Sequence, residues 1–365
     1  MNRDFEKYEP LMSAFAEAIE EATESTLSAF KINPKGEPWE PDATGCLDTP
    51  EGNWPLVFSI KKEAYPRDIK NVMWDLQGHQ SRTKKSSDLV PILLAEHISK
   101  GARDELRSRG MSFFDASGTL FFKHRNWLIN IERGKSATKG TLREVDVFKG
   151  SREKIIHTLL HMERDWFHGQ QVVELSQTSG ATVSNLLQEL ERLGWVEAQG
   201  DGRHRVRRLI KPTELLDAWA EVWVQRKQPT SRWYFFCQDP RRLVEDLTSN
   251  EPFDSRDQRD GVAMAFTGAI AANRLSPLLT HVDIAEIIVP TKAERVADRL
   301  GLKPAEKGAN VVLIERSGAS ELFQEYSPTQ KAWFASPFIQ YLDLLNGRGR
   351  NAELAAQFRE DILRV

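Results

Sequence analysis

Cysteine is nearly missing: Cys46 and Cys237 are the only two in 365 residues. Two thiols in so long a chain give no disulfide framework, and the expected setting is reducing and cytoplasmic. Long apolar runs are missing as well. No stretch approaches the roughly 20 residues that span a bilayer, and the opening MNRDFEKYEP has no apolar signal core, so no membrane partner is expected. Charge of one sign is also absent: 50 Lys and Arg stand against 53 Asp and Glu, a net of −3. Binding to nucleic acid by bulk charge is thereby excluded, and any such binding must come from a local basic patch. There is no internal repeat and no low-complexity tract. What is present is a length that suggests two or three domains and a 40% hydrophobic content, enough for ordinary cores.

The most informative stretch runs from Ser151 to Ile210. SREKIIHTLLHMERDW has Ser151 as candidate N-cap and carries Ile155, Ile156, Leu159, Leu160 and Met162 at helical spacing. GQQVVELSQ reads as a second helix closing on Thr178-Ser179-Gly180, and ATVSNLLQELERL as a third, stopped by Gly194. WVEAQ, Gly200-Asp201-Gly202 and RHRVRRLI follow as a hairpin. Three helices and a hairpin in this order predict a winged helix-turn-helix, which lays one helix in a DNA groove. On the third helix Val183, Leu186, Leu187, Leu190 and Leu193 share the inward side. Ser184, Asn185, Gln188 and Arg192 share the opposite side and are of the types that read base edges. Thr182 and Ser184, near the helix N-terminus, suit phosphate contacts. On the hairpin, period-two alternation sets Arg203, Arg205 and Arg207 on one face for phosphate or minor-groove contact, with His204, Val206 and Arg208 on the other. The plainer alternative is a winged helix that contacts only protein.

Before this module, residues from about Glu9 to Phe30 read as an amphipathic helix, and Asn33 to Pro55 as loop-like with room for one ragged strand. The pattern then turns α/β: PLVFSI a strand, YPRDIKNVMWDLQGH a helix, LVPILLAEHI a buried strand, SKGARDELRSRG a helix from Ser99 to Gly110, and a strand–turn–strand–strand run from Met111. A strand ending in x-Lys, a helix opening with Pro-Arg and a Phe-Asp-x-x-Gly strand resemble the core of the PD-(D/E)xK nucleases. That resemblance implies Asp42 or Asp48 as metal ligand and Lys61 as the residue assisting water. Ser59 stands where the second carboxylate is expected, with Glu63 as the only substitute nearby, so the segment reads as a scaffold without chemistry. Asp115 reads as a turn residue.

After the hairpin come the helix PTELLDAWAEVWVQ, the strand SRWYFFC, the helix DPRRLVEDLTSN and a charged loop EPFDSRDQRDG. GVAMAFTGAIAANRLSP reads as a small-residue helix, VDIAEIIVP as a strand, KAERVADRLGL as a helix, and ANVVLIERS and ELFQEYS as strands. The helices FIQYLDLLNG, capped by Ser336-Pro337, and NAELAAQFREDILRV end the order. Trp219, Trp223, Trp233, Tyr234, Phe235 and Phe236 read as core; a stacking platform for single strands would need exposed rings. Gly347-Arg348-Gly349-Arg350 reads as a solvated turn, with phosphate binding by Arg348 and Arg350 as the alternative. The order PTELLDAWAE, FTGAIAA and SPFIQYLDLLNGRGRNAELAAQF resembles the AbiEi family, antitoxins and autorepressors of type IV toxin–antitoxin systems. The resemblance implies a nucleotidyltransferase-like C-terminal fold and a functional link to a nucleotidyltransferase toxin. No Gly-Ser followed by Asp-x-Asp is present, and Asp283 and Asp343 read as structural, so no chemistry is expected there.

The expected fold class is multidomain α+β / α/β: an N-terminal helix and linker (1–54), a degenerate nuclease-like α/β domain (55–150), a winged helix-turn-helix (151–211) and a C-terminal α/β domain (212–365). The expected function is sequence-specific repression through double-stranded DNA, with an antitoxin character and dimeric binding. No enzyme activity, cofactor or metal is expected. The rivals are a metal-dependent nuclease targeted by its winged helix, and a non-catalytic interaction scaffold.

Overall fold

The computed structural model describes residues 5–32, 41–82, 89–132, 147–162, 165–250, 264–289, 292–347 and 349–365. The charged stretch 251–261 and Arg348 lie outside the described residues, as does the side chain of Arg203. The chain divides into two compact units, residues 1–144 with 188–196, and residues 145–187 with 197–365.

The first unit opens with α1 (Phe5–Thr23). Leu11, Phe15 and Ile19 recur at a four-residue spacing and are buried, which gives the helix its inward stripe. The helix stops at Thr23 rather than near Phe30: Glu24 takes a left-handed φ of 55°, and Thr26–Ile32 becomes β1. The stretch expected to be loop-like holds β2 (Ala43–Thr49) and the start of β3 (Gly52–Ala64). Its strand character comes from pairing, not from propensity: β2 buries only Ala43 and Leu47, yet is flanked by β1 and β3 along its length. There follow α2 (Pro66–Arg82), β4 (Val90–Ile98), α3 (Lys100–Ser108), β5 (Ser112–Asp115), β6 (Leu120–His124) and β7 (Trp127–Ile131). Ser99 caps α3 as expected, its Oγ accepting from the Ala102 N–H at 3.3 Å.

The strands form one sheet in chain order. β1–β2–β3 and β5–β6–β7 are antiparallel, while β3, β4 and β5 are parallel, joined by α2 and α3. The parallel centre is buried on both faces. Phe58, Ile60, Ile92 and Leu94 pack with Phe15 of α1 on one side. Val57, Leu93, Ala95 and Phe113 pack with Ile69 and Val72 of α2 on the other. This double burial is why LVPILLAEHI is apolar at nearly every position.

The middle of the chain runs α4 (Ser151–His161), β8 (Phe167–His168), α5 (Gly169–Ser176), α6 (Gly180–Arg192), β9 (Val196–Gln199), a 3-10 turn at Gly202–His204, and β10 (Val206–Leu209). The small strands form a sheet in the order β8-β10-β9. β8 was invisible in the sequence: a Phe-His pair becomes a strand only because it lies beside Val206 and Arg207. Ser151 is the first helical residue of α4 and makes no cap; Gly150 holds that position.

In the second unit α7 (Pro212–Val224) leads into β11 (Thr230–Tyr234), α8 (Leu243–Asn250), β12 (Ala265–Thr267), α9 (Gly268–Leu275), β13 (Ala285–Val289), α10 (Ala293–Arg299), β14 (Lys303–Pro304), β15 (Val311–Glu315), β16 (Glu325–Ser327), β17 (Ala332–Phe334), α11 (Pro337–Leu345) and α12 (Asn351–Phe358). These strands make a sheet ordered β14-β11-β15-β13-β12-β17-β16. The expected small-residue helix is split: Ala265–Thr267 is a strand, and Gly268 turns the chain at φ +62°. Of ELFQEYS only Glu325–Ser327 is strand: a 3-10 turn ends at Glu321, and Phe323 takes a left-handed φ of 55°. One face of the sheet carries Ala285, Ile287, Val311, Leu313 and Phe235, packed against Val296, Leu243 and Leu247. Among the described residues no helix is long and apolar enough to cross a membrane.

Candidate nucleic-acid interface

α6 has two sides. Val183, Leu186, Leu187 and Leu190 are buried, each contributing about 1.5–3 kcal/mol of apolar burial, while Leu193 is half-buried. Ser184, Asn185, Gln188 and Arg192 are exposed, a polar strip along one face of a single helix. The helix start is fixed by Ser179, a role the sequence reading gave to no residue: its Oγ accepts from the Thr182 N–H at 3.2 Å. The Thr182 hydroxyl shares a 2.8 Å hydrogen bond with the same Oγ and is half-buried. Gly194, at φ +71°, ends the helix.

The hairpin corrects the face assignment. Arg207 is only 8% exposed, and β10 turns it inward together with Leu209. Its guanidinium lies near Gly169 at the start of α5. Arg205 is half-buried, and Arg208 is the cation on the outer face of β10. The Arg208 Nε–H donates to Glu197 at 2.7 Å, and its guanidinium lies 5.0 Å from the Trp166 ring centroid. The phase was ambiguous in the sequence because Val206, Leu209 and Ile210 are apolar at both parities. The structure buries Leu209 and leaves Ile210 exposed. The 3-10 turn at Gly202–His204 also breaks the alternation that would have linked Arg203 to Arg205 and Arg207.

α4 is tied into the second unit by buried polar contacts. The Trp219 Nε1–H donates to Glu153 Oε1 at 2.8 Å, and Arg226 Nη1 donates to the same oxygen at 2.6 Å. Burial raises the Glu153 carboxyl above its usual range, against the opposing pull of Arg226. His157 is fully buried: its Nδ1–H donates to Ala319 O at 2.8 Å, and Nε2 accepts from Ser336 Oγ at 2.6 Å. Burial, with the charge of His161 as a lesser cause, lowers its pKa to about 3, so the ring is held neutral. Ser336 also caps α11, accepting from the Ile339 N–H at 3.4 Å.

A second buried cluster centres on Asp343. Arg316 donates to its two oxygens at 2.7 and 2.6 Å, Thr267 Oγ1 at 2.5 Å and Trp223 Nε1 at 3.3 Å. Glu286 of β13 lies against Gly268, where a Cβ would meet its Oε2 at 1.7 Å. Burial and then the nearby Asp343 charge raise the Glu286 pKa to about 7, although the Ala269 N–H bonds to it. Glu286, Arg316 and His157 were missed in the sequence reading. The signal for Glu286 was there, a lone carboxylate inside the apolar strand AEIIV. Asp283 is exposed, 3.6 Å from His281.

In the first unit Asp42 lies at the entry to β2, and its Oδ2 accepts from the Ile60 N–H at 2.6 Å. Ser59 is buried, and Glu63 accepts from the Tyr65 hydroxyl at 3.3 Å. Lys61, Glu63, Tyr65, Arg67, Asp68 and Asn71 are among the residues lining a polar cleft of about 360 Å³. Asp48 is removed from this place: it pairs with Asn53, and from 53 to 61 β3 runs eight residues, roughly 26 Å at a strand's rise. Asp115 is a turn residue as expected, accepting from the Ser117 N–H at 3.0 Å and the Thr119 N–H at 3.3 Å. Among the described residues no group of three or more His, Cys, Asp or Glu is placed to hold a metal ion.

No curated protein and no solved structure matches the chain. A family model does match. Residues 208–364 match the family described as a transcriptional regulator, the AbiEi antitoxin of type IV toxin–antitoxin systems.

Proposed function

We propose that this protein is a sequence-specific, DNA-binding transcriptional repressor with antitoxin character, docking through a winged helix-turn-helix over residues 151–211. The observation that carries the reading is the exposed strip of Ser184, Asn185, Gln188 and Arg192 on a helix whose other side is buried. Two further observations support it. The elements run helix, short strand, helix, helix, hairpin, with the strands ordered β8-β10-β9. The region that follows matches a family of regulators. In this reading α6 lies in the major groove, where each bidentate base contact contributes about 1–3 kcal/mol of discrimination. Arg203 and Arg205 hold phosphate from the hairpin. Arg207, being buried, has no part in that contact. One such module makes few base contacts, so a homodimer on repeated half-sites is part of the proposal. So is a nucleotidyltransferase-like C-terminal fold acting opposite a nucleotidyltransferase toxin.

The test is a mobility shift at two salt concentrations, with DNA from upstream of the protein's own gene and a scrambled duplex as probes. A salt-resistant preference for the upstream DNA, lost in Asn185→Ala/Arg192→Ala, supports the reading. Weak, equal and salt-sensitive binding to both probes refutes it.

A metal-dependent nuclease is the rival reading, favoured by Lys61 and Glu63 in the polar cleft with Asp42 at the neighbouring strand end. Two facts weigh against it: Ser59 occupies the carboxylate position, and an Asp42 oxygen is engaged by the Ile60 backbone. We therefore propose a non-catalytic scaffold for this unit. Mg²⁺-dependent DNA cutting that disappears in Lys61→Ala would overturn this.

A further inference from the structure

We infer that the open face of the C-terminal sheet is a stacking platform for single-stranded RNA, separate from the duplex-reading helix. The sequence offers SRWYFFC as an aromatic run, and the structure sorts its rings to opposite sides. Phe235 is buried and Trp233 half-buried against the core. Tyr234 is 39% exposed and Phe236 is 71% exposed. The alternation continues past the end of β11 because Asn310 clamps the next residue: its Oδ1 accepts from the Phe235 N–H and its Nδ2–H donates to Phe235 O, both at 2.8 Å. Tyr234 and Phe236 therefore stand on the same side, roughly 7 Å apart along the chain.

The register assigns the neighbours. Arg232 precedes Tyr234 on the same face and is exposed. Lys303 of β14 pairs directly with Tyr234 and is exposed as well. Val312 of β15 lies beside Arg232, and Glu286 beyond it in the same row is mostly buried. The face is covered at its other end, where Ile288 and Ile314 are buried, and open at this one. The result is two exposed rings flanked by two exposed cations on a rigid sheet.

A protein partner would be served by the apolar rings alone. The paired cations add what a phosphodiester chain requires, while the rings offer π-faces to bases. Bases in a duplex are stacked on each other and present no free face, so the fitting ligand is a single strand. Sheet faces that stack unpaired bases on aromatic side chains are a recurring way of holding RNA loops and ends, which is why RNA is the assigned ligand.

The experiment is fluorescence anisotropy on the full chain with a labelled short oligo(U) RNA, competed by oligo(dT) and by duplex DNA. The expected result is RNA binding that oligo(dT) and duplex compete poorly. Phe236→Ala and Tyr234→Ala should each weaken it about 5- to 150-fold, while Phe236→Trp retains it. Arg232→Ala should make binding less dependent on salt. Asn185→Ala should leave it unchanged, which separates this platform from the duplex-reading helix. Circular dichroism confirms folding of the ring variants, whose side chains are exposed. Absence of RNA binding at low salt, or binding unaltered in folded Phe236→Ala/Tyr234→Ala, overturns the proposal. Equal affinity for oligo(dT) overturns the assignment to RNA. A change of oligomeric state in the ring variants, without loss of RNA binding, assigns the face to a protein contact instead.

Discussion

Replacing Asp343 with alanine tests how the second unit holds its charged interior. The carboxylate receives four donors, two from Arg316, one from Thr267 and one from Trp223. The Arg316 and Asp343 side chains are only 10% and 6% exposed. Without the carboxylate, the guanidinium keeps the Gln228 oxygen at 2.8 Å and its stacking on Trp223 but has no hydrogen-bonded counter-charge, only the more distant carboxyls of Glu286 and Glu153. Removing one member of a buried pair costs about 3–5 kcal/mol, because the remaining charge is left desolvated. That is a large share of the roughly 5–15 kcal/mol that holds a domain folded. Urea unfolding followed by circular dichroism should show the transition of this unit displaced by that amount in Asp343→Ala. Asp343→Leu/Arg316→Met should recover most of the loss, since no orphan charge remains. A loss below about 1 kcal/mol in the single variant would mean that water reaches the pair, and the burial argument would be refuted.

Two buried titrating groups give stability opposite pH dependence. Glu286 has a folded pKa of about 7 against an ordinary 4.5, so its contribution is fully present below pH 4.5 and is lost as pH rises through 7. Glu286→Gln should therefore stabilise the protein at pH 8, by up to about 3 kcal/mol, and have little effect at pH 4.5, as chemical denaturation at the two values will show. His157 has a folded pKa of about 3 against 6.5, so its contribution is present above pH 6.5 and is lost as pH falls from 6.5 toward 3. Its ring resonances should show no titration at pH 5; a shift there would place water at the ring. Gly268→Ala combines a φ of +62° with a Cβ 1.7 Å from Glu286 Oε2, so thermal unfolding should record a loss of about 2 kcal/mol or more. Arg207→Ala should lower thermal stability while sparing the salt slope of DNA binding, and Arg203→Ala should do the reverse; a matched effect of both on DNA binding would return Arg207 to the outer face.

Local periodicity determined much of this protein. The apolar spacing on α6 fixed both its buried side and its exposed polar strip, because a helix's 3.6-residue repeat ties each position to one face. Ser99 and Ser336 announced helix starts that hold as caps. The order of residues from PTELLDAWAE onward carried the family, which the match over 208–364 bears out. Tertiary structure decided what local pattern leaves free. β2, legible only as one ragged strand in a loop-like segment, and β8, not legible at all, are strands because partners lie beside them. The hairpin arginines had apolar neighbours of both parities, and only packing chose Leu209 over Ile210 and drew Arg207 inside with it. Asp343 meets Arg316 across 27 residues and Thr267 across 76, and His157 meets Ser336 across 179. Their charges and pKa values are properties of burial and of neighbours brought in by the fold, and neither is written in the residues on either side of them.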